Sequence, residues 1–263
     1  AWPALDGPLS GSMATGALDA AVVVSVSDYA HLPDLPGAAQ NGRAWEAYLR
    51  QRGVSHIATL TDGEVTPEAV LTEARTASGK VGKGGTLFFV WIGHGAPGPR
   101  GALLLPSGVA RDAEDIAAHG VELSGVVAAL TKGRRHETVV IADTNFAGVA
   151  PDGTPLAVGL ATPAVPATKG ATLFTAAAPD ERLGPLPGTA RPALSYLLLG
   201  ALRGWGDLDH DGTVTAQEAR DYVAQVLGLL IVDRRQTPTL SARRPEMALA
   251  TGVNEAGPDP AGV

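Results

Sequence analysis

Five short apolar stretches punctuate the chain, at 21–27, 56–60, 85–92, 138–142 and 171–176. They are rich in Val, Ile, Thr and Phe and too short for ordinary helices. Runs of this kind predict strands buried on both faces, since each side of the pleat then needs apolar side chains. The strongest, at 85–92, stops at Gly93-His94-Gly95, and the 138–142 run stops at Asp143-Thr144-Asn145. Helical spacing lies between the runs. Ala44, Trp45, Ala47 and Tyr48 mark a helix over 37–52, with Gly53 as its stop. Thr66 and Pro67 open a second helix, as cap and first-turn residue. Further helical segments read over 113–130, broken near Gly120, and over 192–203 and 216–230. Strands alternating with helices predict an α/β fold, a mostly parallel sheet covered on both faces.

The remaining stretches lack a period. Residues 1–20 are rich in Gly, Ser, Ala and Pro and read as an arm or linker. The stretch from 96 to about 112 reads as a polar, Gly-rich connection, and 149–169 as a Pro/Gly-rich loop. Residues 251–263 read as a tail. One domain over 21–250 is therefore expected, without internal repeats.

Composition narrows the chemistry. The 263 residues are 45% hydrophobic and 18% charged, which is globular, with alanine usage suggestive of a bacterial source. A net charge of −7 without a basic stripe argues against nucleic acid and anionic membranes. The basic cluster Lys132-Gly133-Arg134-Arg135 reads as a solvated turn. There is no cysteine, so disulfides and thiolate chemistry are excluded as the chain stands. No apolar run is long enough to span a bilayer. The chain starts without an initiator Met or a signal peptide, and both a cytoplasmic and an exported location stay open, as does the oligomeric state.

In open α/β sheets, sites form beyond the carboxyl ends of the strands. If the runs ending at 92 and 142 are neighbours, His94 and Asn145 face one crevice. A strand ending in His-Gly, followed about fifty residues later by one ending in Asp-x-Cys-x-x-Gly, resembles the caspase-like peptidases: caspases, metacaspases and bacterial orthocaspases. The resemblance spans roughly 20–250. It includes Asp28-Tyr29, Leu35-Pro36-Gly37-Ala38, Gly93-His94-Gly95, the run from Leu186 to Ala193, and Gln236-Thr237-Pro238. It implies a caspase-haemoglobinase fold, with His94 as general base. It also implies an acidic pocket for a Lys or Arg side chain, matched here by Asp28 and Asp143.

One position departs. Where the family carries its nucleophilic cysteine, this chain has Asn145. A carboxamide has no proton to lose near neutral pH and forms no acyl-enzyme. It could hydrogen-bond His94. Thr144 should point away from the crevice, and Ser27 is a weak substitute. Ala147 stands where the family commonly has serine, so two departures together favour natural loss over a single engineered change.

A second motif runs from Asp207 to Glu218. Asp207, Asp209 and Asp211 occupy positions 1, 3 and 5 of an EF-hand loop, Gly212 its turn, Thr213 its carbonyl position and Glu218 its closing carboxylate. Hard oxygen ligands at this spacing predict Ca²⁺, structural or regulatory. Gly82-Lys83-Gly84-Gly85 is no phosphate loop, because it precedes a strand. The expected function is a pseudo-protease that retains a crevice for a peptide or protein segment bearing Arg or Lys. Two alternatives stand beside it: an active Arg/Lys-specific cysteine endopeptidase seen as a Cys-to-Asn variant, and a purely structural assembly module.

Overall fold

The structure is a computed structural model and describes residues 1–11, 13–133, 136–162, 166 and 169–259. A six-stranded sheet forms its centre. In chain order the first strands and helices are β1 (Ala20–Ser25), α1 (Ala38–Gln51), β2 (His56–Thr61), α2 (Pro67–Lys80) and β3 (Thr86–Ile92). A small antiparallel sheet follows, of β4 (Gly95–Gly98), β5 (Gly101–Leu104) and β6 (Val121–Glu122), with α3 (Ala113–His119) between β5 and β6. Then come α4 (Leu123–Leu130), β7 (Glu137–Asp143), β8 (Thr172–Thr175), α5 (Ala193–Gly200), β9 (Thr213–Thr215), α6 (Ala216–Leu230), β10 (Thr239–Ser241) and β11 (Ala248–Thr251). The central order is β10-β8-β7-β3-β1-β2, parallel except for the edge strand β10.

The period of two divides each central strand between two cores. Ala21, Val23, Phe88, Val90, Ile92, Val139 and Ile141 face α1, α5 and α6. Val22, Val24, Leu87, Phe89, Trp91 and Val140 face α2 and α4. This two-sided burial is why the strands read as unbroken apolar runs. Thr66 caps α2 as expected, its hydroxyl accepting from Ala69 N at 3.1 Å.

Several expectations change. The stretch after Gly95 is not an unstructured connection. It forms the β4–β5 hairpin, which Pro97 and the glycines conceal from a period-two reading. The helix read over 192–203 is α-helical only to Gly200 and continues as a π-helical turn over Ala201–Trp205. The Trp205 ring lies where a Cβ on Gly200 would stand. The described part of the N-terminal arm docks on the domain. Leu5 is buried, Trp2 Nε1 donates to Pro187 O, and the Tyr196 hydroxyl donates to Pro3 O. Residues 251–259 of the tail also pack: Val253 is buried, and Glu255 pairs with the buried Arg203 at 2.7 Å. Arg203 in turn donates to the carbonyls of Leu5, Gly7 and Pro8, tying both ends of the chain together. Arg134 and Arg135 of the basic cluster lie outside the described residues.

Candidate functional site

β3 and β7 are adjacent, parallel and in register, with Ile92 opposite Asp143. The two polar chain ends therefore emerge side by side. They emerge close together: a Cβ on Gly95 would sit 2.7 Å from the Asn145 carbonyl, so glycine is required there.

His94 is buried and held from three sides. Its backbone N donates to the Tyr29 hydroxyl at 2.8 Å, and that hydroxyl donates to Leu105 O at 3.1 Å. The Tyr29 ring packs on the imidazole with centroids 4.6 Å apart. Nε2 lies 2.7 Å from Pro33 O. A carbonyl can only accept, so Nε2 carries the proton and Nδ1 is left with its lone pair. Burial holds the pKa below the usual histidine value, against the opposing pull of the Pro33 carbonyl, so the ring stays neutral at pH 7.

Asn145 is equally buried, but its carboxamide donates to Glu181 O. The expected bond between His94 and Asn145 is not formed: each side chain is spent on a different backbone carbonyl. Neither substitute nucleophile is poised. The Ser27 hydroxyl accepts from Ala39 N at 2.8 Å at the start of α1, and Thr144 donates to the Asn145 carbonyl at 3.0 Å.

The two acidic residues expected in one pocket separate. Asp28 is exposed, its backbone N bonded to Asp62 Oδ1 at 3.0 Å, and it does not line the cavity that holds Asp143. That cavity, of about 180 Å³, is walled by Leu35, Pro36, Leu183, Pro185 and Pro192, with Asp143 buried in it and Asp34 exposed at its rim. Asp34, in the loop whose Pro33 carbonyl meets His94, is the second aspartate at this cavity. Only the path of the chain reveals this, since both aspartates follow β1 within a few residues. Asp143 accepts from Ser195 N at 2.7 Å and Ser195 Oγ at 2.6 Å. Burial nevertheless pushes its pKa up to about 6, with the Ser195 and Leu194 bonds opposing. A larger, polar cavity of about 640 Å³, lined by His136, Lys169 and Arg243 among others, lies at the other end of β7 and is remote from this chemistry.

In architecture and outline the molecule can now be placed against solved structures. It aligns with the crystal structure of caspase-1 from Spodoptera frugiperda at a TM-score of 0.57 and 12% identity, over 88% of each chain. The fold is caspase-like. A protein from Geobacter sulfurreducens aligns at a TM-score of 0.58 and 15% identity, over 92% of this chain and 95% of that one. No protein-family model matches the chain, and no curated protein does either. At these identities the caspase-like scaffold is shared, while the chemistry rests on the residues above.

The caspase-like domain also carries the acidic loop. Ligand oxygens of Asp207, Asp209 and Asp211 lie within 4.8 Å of one another. Asp207 accepts from Asp211 N and Gly212 N, at 3.1 and 3.0 Å, and Asp211 accepts from Thr213 N at 2.7 Å. His210 and Gly212 take positive φ, 62° and 82°, to make the turn. Thr213 begins β9, which pairs with β11, and Val214 is buried beneath it. Glu218 Oε2 accepts from Thr215 N and Oγ1, while Oε1 is buried with no partner. Three clustered carboxylates and, later in the same loop, an orphaned carboxylate oxygen are donors of the kind a hard cation takes. Among the described residues, no helix is long and apolar enough to cross a membrane.

Proposed function

We propose that this caspase-like domain is a non-cleaving peptide receptor that takes a Lys or Arg side chain of a peptide or protein segment. The observation that carries this reading is Asn145: the residue in the nucleophile's position is an amide already committed to Glu181 O. The apolar walls of the cavity suit the methylene stem of a basic side chain, and Asp143 and Asp34 suit its head. Among the described residues Asp143 forms no ion pair, and a buried carboxylate without a cation is costly. An incoming guanidinium or ammonium would relieve that cost.

Asp207, Asp209, Asp211, Thr213 and Glu218 would hold Ca²⁺, which would neutralise the clustered carboxylates and stiffen the link between α5 and α6. The deciding experiment is calorimetric titration with peptides that differ only in Arg, Lys or citrulline, alongside an assay for their cleavage. Binding selective for Arg and Lys without turnover supports the reading. Cleavage that disappears on His94→Ala would overturn it.

A further inference from the structure

Asp143 is a buried carboxylate with no cation against it among the described residues. Arg191 is a buried guanidinium with no carboxylate in ion-pair contact among the described residues; Asp6 acts on it only at longer range. Two neutral side chains join them. Arg191 Nε donates to Asn41 Oδ1 at 2.7 Å, Asn41 Nδ2 donates to Ser195 Oγ at 2.8 Å, and Ser195 Oγ donates to Asp143 Oδ2 at 2.6 Å. Every donor in this line points toward the carboxylate. The order is forced: a guanidinium can only donate, so it turns the Asn41 carbonyl to itself and the amide N–H₂ to Ser195. Asn41 also donates to Pro192 O at 2.9 Å, and the Arg191 guanidinium stacks over Tyr196 at 4.4 Å, which fixes the first two members of the line. Asn41, Ser195 and Asp143 are almost inaccessible, so water does not substitute for any link.

We propose that Arg191, acting through Asn41 and Ser195, is a positioning residue that keeps the floor of the pocket negatively charged. The arrangement is an ion pair held apart. In direct contact, Arg191 would neutralise Asp143 and compete with any basic ligand. Relayed through two dipoles, it favours the carboxylate form while leaving the cation position beside Asp143 to the ligand. The other ionisable groups around Asp143 are Asp34 at the rim, His94 beyond β3, and Glu181, whose carboxylate is held by Thr237 at 2.6 and 2.9 Å. None of them sits in the relay. The inference builds on the proposed basic-side-chain pocket, but its core, the charge of Asp143, is measurable without a peptide.

The test follows the Asp143 carboxyl by ¹³C NMR titration of the full chain, with Asp143→Asn assigning the signal. Arg191→Gln breaks the relay at its origin, and Ser195→Ala breaks it next to the carboxylate while keeping the backbone donor. Both should raise the titration midpoint by about one pH unit, whereas Arg191→Lys should restore most of the shift. Should Arg191→Gln fail to fold, Arg191→Met, which keeps the side-chain bulk without the charge, takes its place. An unchanged midpoint in the folded variants overturns the relay. Binding of Arg against citrulline peptides, measured on the same proteins, separates the two readings. Selectivity at pH 7 should fall several-fold in the variants. A shifted midpoint with no selectivity in the unaltered chain would uphold the relay and defeat the pocket assignment.

Discussion

His94 and Asn145 leave neighbouring strands side by side, yet their side chains are bonded to different backbone carbonyls, those of Pro33 and Glu181. The imidazole is neutral, with Nδ1 as the atom left to take a proton, but the residue beside it has none to give.

Replacing the amide tests this pair directly. Asn145→Cys should restore slow cleavage after Arg or Lys, read with a fluorogenic peptide. His94→Ala in that background should reduce the rate by ~10²–10⁴, the usual worth of a general base. No cleavage by Asn145→Cys would mean that more than the nucleophile has been lost.

Asp143 should make stability depend on pH. Its folded pKa, about 6, is raised above the unfolded value of about 3.9, so the native state binds more protons between them. The contribution of this group is therefore most favourable below about pH 4 and erodes as pH rises through 6. The erosion is worth about 2–3 kcal/mol. Urea denaturation at pH 4.5 and 7.5 should show Asp143→Asn gaining relative to the unaltered chain at the higher pH. An equal difference at both values would show that the carboxylate is not penalised by burial.

Calcium should raise the melting temperature by mass action, about 2.7 kcal/mol at a hundredfold excess over Kd. Asp209→Asn removes one carboxylate charge while keeping an oxygen for Asp211 N, and should weaken that dependence. Scanning calorimetry across a calcium series reads both, with magnesium as the control. Equal melting curves with and without calcium would remove the ion from the picture.

Gly37 is required at the entry to α1 in purely steric terms. A Cβ there would meet the Ala190 carbonyl and stand 2.5 Å from Arg191 Cα, at the wall of the pocket. Gly37→Ala should cost ~1–3 kcal/mol through overpacking. It should also weaken peptide binding more than Gly63→Ala, at a position with open space around it, when both are measured by calorimetry.

The legible part of the site was local. Gly93-His94-Gly95 and Asp143-Thr144-Asn145 announce themselves because each glycine or polar residue interrupts an apolar strand. The loop from Asp207 to Glu218 is legible for the same reason: its carboxylates are spaced along one short segment. Asp34, Ser195, Asn41 and Arg191 were not legible as partners of Asp143. Asn41 and Ser195 lie 154 positions apart, and nothing in the spacing of either predicts their meeting. The choice between Asp28 and Asp34 was equally hidden, because it depends on which way the chain turns after β1.

By itself, the order of apolar runs and helical periods determined an α/β architecture, and residue identity alone determined that no thiol stands at position 145. Burial on both faces leaves its mark on nearly every residue of β1, β3 and β7, and a missing sulfur needs no coordinates to be seen. Tertiary structure decided where the side chains of His94 and Asn145 turn, which aspartate enters the pocket, and how a buried arginine reaches a buried carboxylate. Those outcomes depend on hydrogen-bond competition among groups distant in the chain, and local sequence holds no record of which partner prevails.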